Sequence, residues 1–290
     1  MKISNGVNYI SSACLPFRET FNLLKYGSKN HLYNIELSSN LIHQEDYYSP
    51  LKQFQNFNFL IHNYFPAPKL PFVFNLASRN KNILEKSINH CKEAMDLCSF
   101  LRIPFYSVHS GFLHDPHPQD LGKKQTQYSY ISRKMGLAIF KESIKKVLTY
   151  GMAKGVNLLI ENNLVEEGNL IDKKNKLFLM VETNEILKFL SSFNNCHLGL
   201  LVDVGHLKVS ANSLKFDPGN FFKKLKGYIK AFHLSDNNGQ FDQNLPFNKN
   251  TWFMPILQKK EFRDLQKVLE FNQDVSLKEI LRCLNLINSL

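Results

Sequence analysis

Seven residues of metal-ligand type stand where short hydrophobic runs stop. Glu36 follows Asn34-Ile35, His62 follows Phe59-Leu60-Ile61, and His109 follows Tyr106-Ser107-Val108. Farther on, Glu161 follows Leu158-Leu159-Ile160, Asp203 follows Leu200-Leu201-Val202, His233 follows Ala231-Phe232, and Glu270 follows Val268-Leu269. Taken singly, a histidine at the end of a run is most simply a hydrogen-bonded structural residue, and Glu36 a rim carboxylate or the partner of a nearby lysine. Gathered in one place, three carboxylates and a histidine would be costly to desolvate without a cation. Glu161, Asp203, His233 and Glu270 supply three oxygens and one nitrogen, a set that suits Mn²⁺, Co²⁺, Zn²⁺ or Mg²⁺.

A second signal follows Asp203. In Asp203-Val204-Gly205-His206 the glycine permits a tight backbone, and His206 can turn back over the same place to meet a substrate oxygen or a further metal. The stretch His233-Leu234-Ser235-Asp236-Asn237-Asn238-Gly239 runs from a strand into a polar loop, where Asp236 is placed to orient His233.

Gathering residues so far apart in sequence requires a particular scaffold. Strand-like runs occur at Ile3–Ile10, Leu32–Leu37, Phe57–Tyr64, Phe105–Val108, Val156–Ile160, Leu198–Val202, Ile229–Leu234 and Val268–Phe271. Helical spacing fills the gaps: Leu84, Ile88, Cys91, Met95 and Cys98 within Ile83–Leu101, Met135 to Val147, and Phe221, Phe222, Leu225 after Asp217-Pro218. Strand–helix alternation predicts an α/β chain with parallel strands. A single (β/α)8 barrel over residues 1–290 gathers every strand's C-terminal end at one mouth, where the active site belongs.

Composition agrees with a globular soluble chain: 43% apolar, 12% aromatic, and only 13 glycines and 11 prolines in 290 residues. No run approaches a membrane span, and residues 1–6 lack the apolar core of a secretory signal. Five cysteines without a C-x-x-C pair suit a reducing cytoplasm, with Cys91 and Cys98 as core thiols. The net charge of +11 favours anionic partners, although the lysine pairs (123–124, 145–146, 173–174, 223–224, 259–260) also fit solvated helix faces.

Val202-Asp203-Val204-Gly205-His206, His233-Leu234-Ser235-Asp236-Asn237 and the strand-ending Glu161 and Glu270 resemble the xylose-isomerase-like barrel superfamily. That group includes sugar and sugar-phosphate isomerases and epimerases, and abasic-site nucleases of the endonuclease IV class. In its epimerase branch, the resemblance implies one divalent metal ion on Glu161, Asp203, His233 and Glu270, with His206 on a substrate oxygen. Glu161 and Glu270 would then remove and return a proton through an enediolate of a small-molecule sugar or sugar phosphate. In the nuclease branch, His62 and His109 would join Glu161 around an additional metal, the partner would be nucleic acid, and Asp242 would contribute to the centre. Phe74-Asn75-Leu76-Ala77-Ser78 looks like that branch, whereas Asp242-Gln243-Asn244 puts an amide where the shared pattern has a histidine. Pro66 and Pro68 suggest a fixed loop over the mouth, with Tyr64, Phe65 and Trp252 as candidate walls that are more simply packing residues. His114-Asp115-Pro116-His117 is a candidate lid, while His31, His43, His90 and His197 are most simply surface or core residues.

Overall fold

A computed structural model describes residues 7–290. The expected first strand therefore lies partly outside the described residues. The strands are β1 (Asn8–Ser11), β2 (Asn34–Leu37), β3 (Asn58–His62), β4 (Phe105–His109), β5 (Asn157–Glu161), β6 (Leu198–Asp203), β7 (Ile229–Leu234) and β8 (Gln266–Leu269). All neighbours run parallel in sequence order, and β8 pairs back onto β1 to close an eight-stranded barrel. Outside it lie α1 (Thr20–Lys29), α2 (Tyr48–Gln53), α3 (Lys81–Leu101), α4 (Arg133–Lys154), α5 (Thr183–Ser191), α6 (Val204–Leu214), α7 (Pro218–Leu225), the short α8 (Met254–Leu257) and α9 (Lys260–Arg263), and α10 (Leu277–Asn288). The expected (β/α)8 barrel is the observed fold.

Local sequence explains the element ends. Asn80, Ser132, Asp217 and Ser276 cap α3, α4, α7 and α10 by accepting from backbone N–H groups of the first turn. Gly155 closes α4 in the left-handed region at φ 73°, a conformation that costs glycine little. Cys91 and Cys98 lie on the buried face of α3, packed against the barrel. Val and Ile residues run through the strands because parallel strands are covered on both faces.

The barrel wall carries the core. Phe232 on β7 is fully buried and meets Phe262 edge-on at 5.7 Å, with Phe222 beyond it at 6.4 Å. Trp252 belongs to this outer layer, 6.3 Å from Phe222 and 5.8 Å from Phe253, so it packs the helices and does not wall the mouth. The Pro66–Pro68 loop is fastened sideways: Tyr47 Oη donates to Ala67 O at 2.9 Å, and His43 Nδ1 approaches the same carbonyl. Phe65 is buried against Tyr47, and the Tyr64 hydroxyl accepts from Phe72 N–H, so both are packing residues too.

All five lysine pairs are exposed and sit on separate elements. No helix among the described residues is long and apolar enough to cross a membrane. Deleting the Phe232 ring should cost about 3–5 kcal/mol. Urea denaturation of Phe232→Ala with circular dichroism checks this, expecting a lower midpoint at unchanged slope.

Candidate metal centre

Strand register brings the ionisable residues together. His109 on β4 is level with Glu161 on β5, and Asp203 on β6 is level with His233 on β7. His62 ends β3, one strand from His109, and Glu270 directly follows β8. Glu161 forms the hub. Its Oε2 lies 3.2 Å from His62 Nε2 and 3.1 Å from His109 Nε2; its Oε1 lies 3.3 Å from His206 Nδ1 and 3.7 Å from His233 Nδ1. His233 Nδ1 is also 2.7 Å from Glu270 Oε2.

These contacts are short, yet the donors aim at common points more than at one another. Both Glu161 oxygens, Asp203 Oδ2 and His233 Nδ1 are buried with no aligned hydrogen-bond partner among the described residues. Orphaned buried ligand atoms are expensive in an ion-free site. Ligand atoms of Glu161, Asp203, His233 and Glu270 all fall within 4.8 Å of one another, as do those of His62, His109 and Glu161. The donor types and their convergence fit a divalent cation.

Other residues fix these side chains in place. Asp203 caps α6: its Oδ1 accepts from His206 N–H at 2.7 Å, which leaves Oδ2 for the centre. Asn162 clamps the Asp203 backbone, donating to Asp203 O at 3.1 Å and accepting from Asp203 N–H at 2.9 Å. His62 Nδ1 bonds Ser107 Oγ at 2.9 Å, turning Nε2 toward Glu161. Gly205 is helical, so its role is space and not the sharp turn expected from the sequence. A Cβ there would meet Ser235 Oγ at 2.7 Å and Asp203 Oδ1 at 3.2 Å.

Two expectations need correction. Glu36 is neither a rim residue nor a lysine partner: it is completely buried, and its Oε2 lies 3.1 Å from His233 Nε2. Asp236 does not orient His233, because it pairs with Lys208 at 2.7 Å. Glu36 does that work instead, since Nε2–H directed at its carboxylate leaves Nδ1 facing Glu161 and Glu270. Only its place in the common series marked Glu36 in the sequence. Nothing there marked Asn162, a polar side chain whose two backbone bonds depend on the β5–β6 pairing.

Asp242 approaches from the loop after β7, 3.5 Å from His206 Nε2. Asn244 is turned to its own loop, where it accepts from Ser235 Oγ at 3.1 Å. The candidate lid is held down: Asp115 accepts from Asn75 Nδ2 and Ser78 Oγ, each at 2.8 Å, and His114 is buried against Gln125. A cavity of about 600 Å³ lies at the opposite end of the barrel beside Tyr9, Asn58 and Gln266, away from this cluster.

Electrostatics divide the groups into compensating pairs. Burial pushes the Glu161 carboxyl up, but His109, His62 and His233 reverse this and hold it well below the carboxylate range. Burial likewise opposes ionisation of Glu270, and His233 prevails, driving it down to about 2. Burial dominates at Asp203, raising it to about 7, and at His62, lowering it to about 3. His206 and His233 are buried yet held well above the usual imidazole range by surrounding carboxylates, chiefly Asp203 and Asp242 for one and Glu36 and Glu270 for the other.

Comparison with known proteins follows the same outline. The model of the family described as "Xylose isomerase-like TIM barrel" matches residues 45–286. The chain belongs to the xylose isomerase-like TIM barrel family. Curated relatives include the "Probable endonuclease 4" of Aquifex aeolicus, 25% identical over 58% of this chain and 53% of that protein. That of Sulfurihydrogenibium sp. is 23% identical over 59% and 55%. The chain thus spans about half the length of these relatives. Among solved structures, a D-tagatose 3-epimerase-like protein superposes with a TM-score of 0.70 at 15% identity, covering 98% of this chain and 96% of that one. An L-ribulose 3-epimerase gives 0.65 at 15% identity, covering 98% and 86%. A 3-keto-D-glucoside 4-epimerase from E. coli gives 0.68 at 8% identity, covering 98% and 100%. At these identities the family member shares their fold.

Two outcomes test the cluster as a metal centre. Glu36 and Glu270 hold the buried His233 imidazole well above its usual range, and ligation through Nδ1 would cost it a proton, so metal binding should release protons and tighten as pH rises. Calorimetric titration of MnCl₂ in buffers of different ionisation enthalpy reads this directly. Replacing Glu36 with Gln should weaken the same binding by about 10–100-fold, since the ring loses its orienting acceptor.

Proposed function

We propose that this chain is a divalent-metal-dependent sugar or sugar-phosphate isomerase or epimerase. The observation that carries the reading is the pair Glu161 and Glu270, which both reach His233 Nδ1, at 3.7 and 2.7 Å, within a four-residue ligand set. A divalent ion (Mn²⁺, Co²⁺, Zn²⁺ or Mg²⁺) held by Glu161, Asp203, His233 and Glu270 supplies Lewis-acid polarisation of a carbonyl and its neighbouring hydroxyl. One glutamate takes the proton from the carbon beside that carbonyl, and the bonding pair moves into the enediolate. The proton returns from the same carboxylate or from the opposite one. Return on the other face inverts the centre; return at the former carbonyl carbon isomerises the sugar. Glu270, with 20% of its side chain exposed, can exchange a proton with solvent, whereas Glu161 is sealed behind imidazoles. His206 lies beside both Glu161 and Asp203 and is the residue to hold negative charge developing on the substrate oxygen.

Metal-dependent phosphodiester cleavage at abasic DNA is the second reading. A specific observation favours it: His62, His109 and Glu161 form an adjoining ligand set that shares Glu161 with the first. Against it stands Asn244, an amide where the Asp-x-His pattern of that branch has a histidine, and one bonded to Ser235 and Asp242 within its own loop. The reading also gains little from the +11 charge, because the lysine pairs are spread over separate elements.

Glu270→Gln should abolish solvent-deuterium incorporation at the substrate carbon, followed by proton NMR on a panel of ketoses in D₂O; unchanged exchange would sink the proton-transfer scheme. Metal analysis separates the two readings: one tightly bound ion per chain supports the sugar chemistry. Two or three zinc ions, with abasic-duplex binding that weakens steeply with salt, support the nuclease.

A further inference from the structure

The cavity at the far end of the barrel lies where the strands begin, away from the ligand cluster. Its volume is about 600 Å³, within the ~300–1,000 Å³ of small-molecule pockets. Tyr9 near the start of β1, Asn58 and Phe59 at the start of β3, and Gln266 at the start of β8 line it. α3 stops at Leu101, and the left-handed backbone of Arg102 (φ 58°) turns the chain along the same cavity through Ile103 and Pro104 to β4. The last turn of α2 brings Lys52 to the lining. Aromatic rings fill much of the rest. Phe57 and Phe59 stack at 5.8 Å with planes 11° apart, Phe54 meets Phe57 edge-on at 5.6 Å, and Phe100 is 47% exposed.

Charge, a buried acceptor and flat apolar faces together select a ligand. Lys52 and Arg102 are exposed and share the lining with no carboxylate. Neither forms an ion pair among the described residues. Tyr9 stays neutral, its phenol pushed up to about 12 by burial and then by Glu36. Gln266 is 1% exposed, and its Oε1 is a buried acceptor with no partner among the described residues. Such an atom is costly to leave unanswered, so a donor is called for. Inorganic phosphate answers the cations and nothing else. A free sugar answers Gln266 but leaves both cations unmatched, and an aromatic monocarboxylate brings one charge to two cations. A nucleoside monophosphate answers all of them. Its phosphate carries about two negative charges at neutral pH, its base stacks on aromatic side chains, and adenine, guanine and cytosine each carry an amino donor on the ring edge.

We propose that this cavity is a second ligand site, separate from the proton-transfer centre, which binds a nucleoside 5′-monophosphate with its base against the phenylalanines and Gln266 and its phosphate on Lys52 and Arg102. Calorimetric titration of the full chain with AMP, GMP and CMP, with the matching nucleosides and with inorganic phosphate, tests it. The expected result is at least one monophosphate bound about 10-fold or more tighter than both its own nucleoside and inorganic phosphate. Arg102→Gly removes the guanidinium at an exposed, left-handed position that glycine suits, so the fold is kept and the affinity should fall roughly tenfold. Lys52→Gln, also at an exposed position, should act in the same direction. A nucleoside bound as tightly as its monophosphate removes the two cations from recognition and overturns the proposal. So does a monophosphate bound no tighter than inorganic phosphate, or an affinity that both variants leave unchanged, which would place the nucleotide elsewhere on the chain.

Discussion

The carboxylate of Glu161 is sealed inside the mouth of the barrel with four imidazoles around it and no aligned hydrogen bond among the described residues. A buried carboxylate without a partner is among the most costly groups a fold can contain. The surrounding chain answers that cost by charge: His233 and His206 are held protonated, and Glu270 and Glu161 stay ionised beside them. Imidazolium therefore occupies the electrostatic role that a cation of higher charge would fill. A divalent cation held there would compete with those protons for the same oxygens, so its binding would be coupled to proton release.

Barrel geometry makes such a cluster affordable. Each ligand-type residue stands at or next to the C-terminal end of a strand, and strands pair in sequence order, so neighbours in the ring are neighbours in the list. The register then decides which side chains meet. His109 faces Glu161 and Asp203 faces His233 as directly paired residues. Rigid strand ends hold these groups better than loops could, and the loops add Asp242, Asn244, Glu166 and Gln125 around them.

Much of this was legible in the sequence because both signals are local. Apolar runs ending in acids or imidazoles report strand ends, and capping residues such as Asp217 report helix starts. Among the described residues the strand ends fall within two residues of the expected runs, with β8 shifted by two at both ends so that it stops before Glu270. What stayed hidden depends on pairing across the barrel. Glu36 looked like a rim residue because its sequence neighbours are ordinary, yet β2 turns it inward to His233, 197 residues away. Asp236 looked like the orienting acid because it follows His233 closely, but the chain turns it out to Lys208. Proximity in sequence is a poor guide to which carboxylate a buried imidazole will choose.

The loop after β7 is where the two chemistries open to this family part company. Both readings are built on the cluster of Glu161, Asp203, His233 and Glu270, with His62 and His109 adjoining it. A further cation beside His206 and Asp242 needs a third donor that can give up a lone pair without losing a bond it already makes. Asn244 is a poor one: its carbonyl oxygen already accepts from Ser235, and its amide nitrogen, whose lone pair is delocalised, faces Asp242 with hydrogens. Asp242 keeps one oxygen toward His206, while the other has no hydrogen-bond partner among the described residues. The loop therefore offers a cation two good donors, His206 and Asp242, beside an amide that is a poor third, and that difference in donor chemistry is where the two readings separate.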